Sequence, residues 1–267
     1  MSGRATRPIG VFDSGVGGLT VLRAIHAALP LEPTVYLGDT ARVPYGPKSQ
    51  ETVRRYAVQA AEFLVDRGIK ALVIACNTAT AHAHATLAEA LDIPVLGVID
   101  PGAREAAEAS RSGVIGVIGT RGTIESGTYE RAIRSYRSDA DVRSRACPLF
   151  VSLAEEGWVT GDVAELTART YLEDLLDAGI DTLVLGCTHY PLLTPLLAHV
   201  AGEGVRLVDS AEATARATAR IVPHAEPGSG APPREYYVTD DPRRFEELAG
   251  RFLGASIEHL QHVDIDG

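Results

Sequence analysis

The feature that most narrows the fold is an internal repeat. Residues 62–76, Glu-Phe-Leu-Val-Asp-Arg-Gly-Ile-Lys-Ala-Leu-Val-Ile-Ala-Cys, align without a gap on residues 173–187, Glu-Asp-Leu-Leu-Asp-Ala-Gly-Ile-Asp-Thr-Leu-Val-Leu-Gly-Cys. Glu, Leu, Asp, Gly, Ile, Leu, Val and Cys coincide, eight identities in fifteen positions. Flanking pieces extend the match: Ile9-Gly10-Val11 resembles Ile115-Gly116-Val117, and Val98-Ile99-Asp100 resembles Leu207-Val208-Asp209. Self-similarity on this scale describes two related halves. Each half ends its third strand in a cysteine.

Short apolar runs alternate with amphipathic segments of helix length. The runs are Ile9–Phe12, Thr34–Leu37, Ala71–Ala75, Val95–Ile99, Val114–Ile118, Leu149–Leu153, Thr182–Leu185 and Val205–Val208. Apolar stretches without alternation are what strands buried on both faces require, and helical crossovers between them imply parallel sheets. The expected architecture is α/β: two pseudo-symmetric, flavodoxin-like parallel-sheet domains with the functional site in the cleft between them. Residues 1–99 joined by 208–267 form the first expected domain, and 100–207 the second. Pro223 to Pro233 reads as a Pro/Gly loop. A strand at Glu235–Thr239, a helix from about Pro242 to Leu253 and a short strand near Ile257 are expected after it.

Composition excludes several classes. A formal net charge of −10 is unlike that of a general nucleic-acid binder, which neutralises phosphates with clustered Lys and Arg. No stretch approaches the roughly twenty apolar residues of a membrane span, and Met1-Ser2-Gly3-Arg4 does not open a signal peptide. A cytoplasmic protein with no nucleic-acid or membrane partner is expected, with a homodimer as one arrangement. Its three cysteines, Cys76, Cys147 and Cys187, form no CxxC and are expected as free thiols in that compartment. The only lysines, Lys48 and Lys70, lie at element ends, which does not suit a Schiff-base lysine for pyridoxal phosphate.

In open α/β sheets ligands bind beyond the carboxyl ends of the strands, and in the flavodoxin-like order the first and third strands are neighbours. Asp13-Ser14 then sits beside Cys76-Asn77-Thr78, and Gly119-Thr120 beside Cys187-Thr188-His189. With the halves facing each other, two thiols enter one cleft from opposite sides. That geometry can remove a proton from one face of a carbon and return one to the other. A lone cysteine at a strand end is ordinarily a small buried hydrophobe, but repetition at equivalent positions argues for function at Cys76 and Cys187. Cys147 has no repeat partner and reads as structural. His189, two residues after Cys187, suits a polarising or proton-donating role. His82 and His84 read as capping or surface residues.

Asp13-Ser14-Gly15-Val16-Gly17-Gly18-Leu19-Thr20 is a Gly-rich strand-to-helix turn. As a dinucleotide fingerprint, with Asp39 as the ribose acid, it fits poorly, because Thr20 holds the third glycine position. Such a helix N-terminus can instead hold a carboxylate through free backbone N–H groups. An anionic substrate then needs no lysine. A metal module using Cys76, Cys187, His189 and Asp13 is a competing reading, although zinc sites ordinarily show closely spaced ligand pairs. A regulatory binding protein that has lost the reaction is another, weakened by the presence of both cysteines.

Phe12-Asp13-Ser14-Gly15-Val16-Gly17-Gly18, Val43-Pro44-Tyr45-Gly46, Ala75-Cys76-Asn77-Thr78-Ala79-Thr80 and Gly186-Cys187-Thr188-His189-Tyr190-Pro191-Leu192 closely resemble the motifs of bacterial glutamate racemases, in the cofactor-independent aspartate/glutamate racemase superfamily. The resemblance covers nearly the whole chain. It implies interconversion of L- and D-glutamate without a cofactor, supplying D-glutamate for peptidoglycan; a related racemase of aspartate or another acidic amino acid is the alternative. Carried over by position, Cys76 and Cys187 are the acid/base thiols, assisted by Asp13, Glu155 and His189. Asp13, Ser14, Tyr45, Gly46, Asn77, Thr78, Thr188 and His189 hold the substrate. The resemblance departs at Ser152, where the family pattern has a second proline, and Glu156 adjoins Glu155. No long N-terminal extension precedes the first strand, so regulation by a cell-wall precursor, associated with such an extension, is not expected.

Overall fold

The computed structural model describes residues 6–225 and 231–265. The central part of the Pro/Gly loop, 226–230, lies outside the described residues, as do the two termini. The first half runs β1 (Ile9–Asp13), α1 (Leu19–Ala28), β2 (Thr34–Gly38), α2 (Gln50–Val65), β3 (Ala71–Ile74), α3 (Asn77–Ala90) and β4 (Val95–Gly97). The second comprises α4 (Ile99–Ala109), β5 (Val114–Gly119), α5 (Arg121–Glu125), α6 (Thr128–Tyr136), β6 (Asp141–Ala146), α7 (Leu149–Glu156), α8 (Asp162–Asp177), β7 (Thr182–Gly186), α9 (Thr194–Ala201) and β8 (Arg206–Asp209). The chain then adds α10 (Ser210–Ile221), β9 (Arg234–Val238), α11 (Pro242–Leu253) and β10 (Leu260–His262).

Two all-parallel sheets result. One has six strands in the order β10-β9-β2-β1-β3-β4, the other four in the order β6-β5-β7-β8. Each contains the expected flavodoxin-like core of second, first, third and fourth strand. On the larger sheet, apolar residues of α1, α10 and α11 pack on one face and those of α2 and α3 on the other. On the smaller sheet, α7, α8 and α9 cover one face and α4 and α6 the other.

The repeat has a packing explanation. Gly68 and Gly179 follow α2 and α8 with φ of +69° and +76°, a left-handed conformation that side chains with a Cβ resist. The next residues, Ile69 and Ile180, press into the backbone of β1 and β5. A Cβ added at Gly10 would lie 2.7 Å from Ile69, and one at Gly116 would lie 2.8 Å from Ile180. The shared Gly-Ile pair and the glycines of the shared Ile-Gly-Val segments are thus one joint used twice.

Three expectations about strands are corrected. Leu149–Leu153 is not a strand but the start of α7, whose buried Phe150, Leu153 and Ala154 have helical spacing. The strand of that region is β6, Asp-Val-Arg-Ser-Arg-Ala, at the sheet edge. An edge strand with solvent on one side has no need of a continuous apolar run. The final strand lies at Leu260–His262 rather than near Ile257. Ile99 opens α4 instead of ending β4. The boundary expected at 207/208 runs through β8, whose residues pair with β7. No helix among the described residues is long and apolar enough to cross a membrane.

Candidate active site

The carboxyl ends of both sheets meet across the lobe boundary. The Gly122 N–H donates to the Gly46 carbonyl at 2.9 Å, and the Thr20 hydroxyl donates to the Thr188 carbonyl at 3.2 Å. The hydroxyls of Thr78, Thr120 and Thr123 lie 2.9–3.2 Å from one another. Gly17 is so close to the opposite lobe that a Cβ there would lie 2.3 Å from Thr188 Oγ1. The glycines of this turn therefore admit protein from the other lobe. Asp39, the candidate ribose acid, is wholly buried and accepts hydrogen bonds from Arg42, Tyr45 and Thr239. The dinucleotide reading is set aside on these contacts.

Cys76 caps α3, where its sulphur accepts the Ala79 N–H at 3.4 Å and lies 3.6 Å from Ser14 Oγ. Burial, then the nearby Asp13 carboxyl, pushes the thiol up to about 12, against the pull of Ala79 N–H and Ser14. Asp13, the last residue of β1, is itself raised by burial, while His189 and the N–H groups of Gly18, Gly15 and Ser14 pull it down. Cys187 stands at the corresponding end of β7, 3.9 Å from His189 Nδ1. His189 Nε2 lies 3.0 Å from Glu155 Oε1, and its ring meets Phe252 edge-on with centroids 5.1 Å apart. Burial lowers the imidazole, but the bond to Cys187, then that to Glu155, carries it up to about 10. Glu155, rather than Glu156, reaches this ring, and the bond to His189 holds its carboxyl below the usual range.

These groups form a closed arrangement in which both cysteines are only 6% exposed. The Cys76, Cys187, Asp13, His189 and Glu155 side chains are brought together, with Ser14, Asn77, Thr78 and Thr188 around them. Tyr45 is also buried, its hydroxyl turned to Asp39. Among the described residues, no three or more His, Cys, Asp and Glu side chains converge as a metal site would require. Cys147 is wholly buried in the core cluster that also holds Phe150 and Tyr190. His82 and His84 are neither caps nor free surface groups. Both are half-buried along α3, where His84 Nε2 meets the Val95 carbonyl at 3.2 Å. Lys70 is buried in an ion pair with Glu32, also donating to the Pro223 carbonyl at 2.8 Å.

Residues 9–218 match the family described as Asp/Glu/Hydantoin racemase. The chain belongs to that family. Among curated members it is 56% identical to a glutamate racemase of Geobacter metallireducens over 97% of each chain. Of solved family structures, glutamate racemase RacE1 of Bacillus anthracis superposes with a TM-score of 0.92 at 42% identity, covering 97% of this chain and 98% of that one. The Francisella tularensis glutamate racemase in complex with D-glutamate superposes with a TM-score of 0.90 at 38% identity, covering 98% of this chain and 99% of that one. Within this racemase frame, sequence reasoning placed Thr120 at the cleft without giving it a role, and missed Thr123 and Tyr129. The spacing Thr120-Arg-Gly-Thr123 after a strand was a legible capping signal. Tyr129, on an amphipathic helix, reads simply as core.

Proposed function

We propose that this chain is a glutamate racemase that works by two-base proton transfer at Cα between Cys76 and Cys187. The observation that carries the reading is the placement of these thiols at repeat-equivalent strand ends in one closed site. One sulphur, as thiolate, removes the Cα proton while the other, as thiol, delivers a proton to the opposite face; the reverse reaction exchanges the roles. Asp13 serves the Cys76 side. His189, carrying a proton at neutral pH and oriented by Glu155, serves the Cys187 side. Ser14, Tyr45, Gly46, Asn77, Thr78 and Thr188, with Asp13 and His189, hold the substrate. The N-termini of α1 and α3 supply backbone N–H groups for its carboxylates. Removing a Cα proton without an electron sink demands fixed dipoles and exclusion of water. Two lobes, 6–98 with 210–225 and 231–265, and 99–209, closing on the substrate provide both.

The high identity to glutamate racemases favours glutamate over aspartate. A cytoplasmic enzyme supplying D-glutamate to peptidoglycan is the setting we infer. Incubation with L-glutamate and L-aspartate in deuterated water, without added cofactor, tests the reading: deuterium should enter Cα of glutamate with formation of the D-enantiomer. Cys76→Ala and Cys187→Ala should each lose nearly all turnover, whereas Cys147→Ala should keep most. Substantial racemisation by either of the first two would sink the two-base mechanism.

A further inference from the structure

Tyr129 belongs to α6, which packs on the smaller sheet, but its hydroxyl reaches the other lobe. It donates to Asn77 Oδ1 at 2.7 Å, and Ser210, the first residue of α10, lies near it over Gly102. The ring lies against β7, where a Cβ on Gly186 would come within 3.0 Å of it, and the hydroxyl lies over Gly102 of α4. Tyr129, Asn77 and Ser210 are all buried. The phenol proton is therefore committed to Asn77.

Asn77 adjoins Cys76 at the start of α3. With Oδ1 taken, its Nδ2 is buried and has no hydrogen-bond partner among the described residues. A buried amide NH2 without an acceptor is costly, and a free side chain would turn until the cost was relieved. Here the turn is opposed, because it would put Nδ2 in place of the acceptor that the phenol proton requires. The donor is thus kept open beside the thiol that caps the same helix.

We infer that Tyr129 is a positioning residue: its hydroxyl fixes the Asn77 amide so that Nδ2 is presented to a carboxylate of the bound amino acid. This rests on the reading of the Cys76–Cys187 cleft as a glutamate site. Because Tyr129 reaches Asn77 from the other lobe, the donor is set only when the lobes are seated together.

The test is a cycle of Tyr129→Phe and Asn77→Ala, singly and combined, with KM and kcat measured for both glutamate enantiomers. Tyr129→Phe keeps the ring that packs on β7, and a thermal melt checks that it folds. Loss of one orienting hydrogen bond should raise KM about fivefold with kcat changed less than about twofold. Asn77→Ala should raise KM at least as much, and the double variant should match Asn77→Ala alone. An unchanged KM in Tyr129→Phe overturns the proposal. So does an equal further rise in the Asn77→Ala background, which would mean that the hydroxyl acts through lobe packing. If the unaltered protein fails to turn over glutamate, the functional reading fails, and the orientation is read separately. In ligand-free, nitrogen-15-labelled protein, the side-chain amide signal lost in Asn77→Ala should move in Tyr129→Phe. An unmoved signal overturns the proposal with or without turnover.

Discussion

Gly17→Ala offers a direct test of how tightly the lobes must meet for the site to work. A Cβ at this position would lie 2.3 Å from Thr188 Oγ1, 2.4 Å from His189 Nδ1 and 2.6 Å from His189 Cε1. Contacts between non-bonded heavy atoms settle near 3.5 Å, so the methyl and the imidazole must separate by roughly 1 Å. Nδ1 is the nitrogen that faces the Cys187 sulphur at 3.9 Å, while Nε2 is tied to Glu155 at 3.0 Å. The ring cannot retreat without losing one of these partners. Overpacking of this kind costs about 1–3 kcal/mol of stability, and a 1 Å misplacement of a reacting group can cost about 100-fold in rate. The expected outcome is a folded protein with a lowered melting temperature and kcat/KM reduced about 100-fold, equally for L- and D-glutamate. Racemisation followed by circular dichroism from both enantiomers, beside a thermal melt, measures both quantities. Gly204→Ala is the control, since nothing lies within 4 Å of its added Cβ. A Gly17→Ala protein with nearly unaltered kcat/KM would show that the His189 position is not critical, and the assignment of that ring would fall.

Other expectations concern charge, isotope effects and helix propensity. Glu155→Gln should narrow the pH range of high stability. His189 is held up to about 10, so its contribution is present below its ordinary value near 6.5 and lost as pH rises through about 10; the lowered Glu155 contributes above its ordinary value near 4.5 and loses this as pH falls. The gap in melting temperature between parent and variant should therefore be widest around neutral pH and shrink at both extremes; a pH-independent gap would refute the pairing. Asp13→Asn and His189→Asn should both slow turnover but shift the Cα-deuterium isotope effects on kcat/KM of the two directions in opposite senses. Identical patterns would mean that both residues serve one shared step. Gly250→Ala, within α11 and with open space around the added methyl, should stabilise the fold by about 0.5–1 kcal/mol in urea unfolding.

The sequence disclosed the parts of this molecule whose causes are local or repeated. The strands of the inner sheet are continuous apolar runs because helices cover both their faces, and seven of the eight runs identified fall on strands. The Cys76 and Cys187 placement followed from the repeat together with the rule for sheet ends. What stayed hidden depends on distance in space. β6 is polar because it is an edge, and the apolar run at Leu149–Leu153 is helical because only one side of it meets the core. Tyr129 could not be singled out, since its one unusual property is a hydroxyl meeting Asn77 from 52 residues away. The same holds for Gly17, whose small size matters only because Thr188 and His189 arrive from the other lobe.

The two halves agree in frame and differ in chemistry, and packing explains where. Asp13 ends β1, and room for its side chain depends on Gly18, where a Cβ would lie 2.5 Å from that of Asp13. The matching residue of β5 is Gly119, where an added Cβ would lie 3.1 Å from the Gly186 carbonyl and 3.2 Å from Ile124. Any side chain there is tight, since the Gly186 carbonyl and the Ile124 and Thr123 methyls would each have to give by a few tenths of an ångström. The second half instead draws its polar support from two residues past the cysteine, where the first half has Thr78 and the second has His189. The imidazole in turn needs an acceptor on its far side, which Glu155 of α7 provides. One thiol thus lies beside a carboxylate and the other beside an imidazole. Enantiomers have equal free energy in water, so kcat/KM must remain equal in the two directions whatever the supports. The asymmetry is free to reside in the individual proton transfers, which is why the two halves could diverge without biasing the equilibrium.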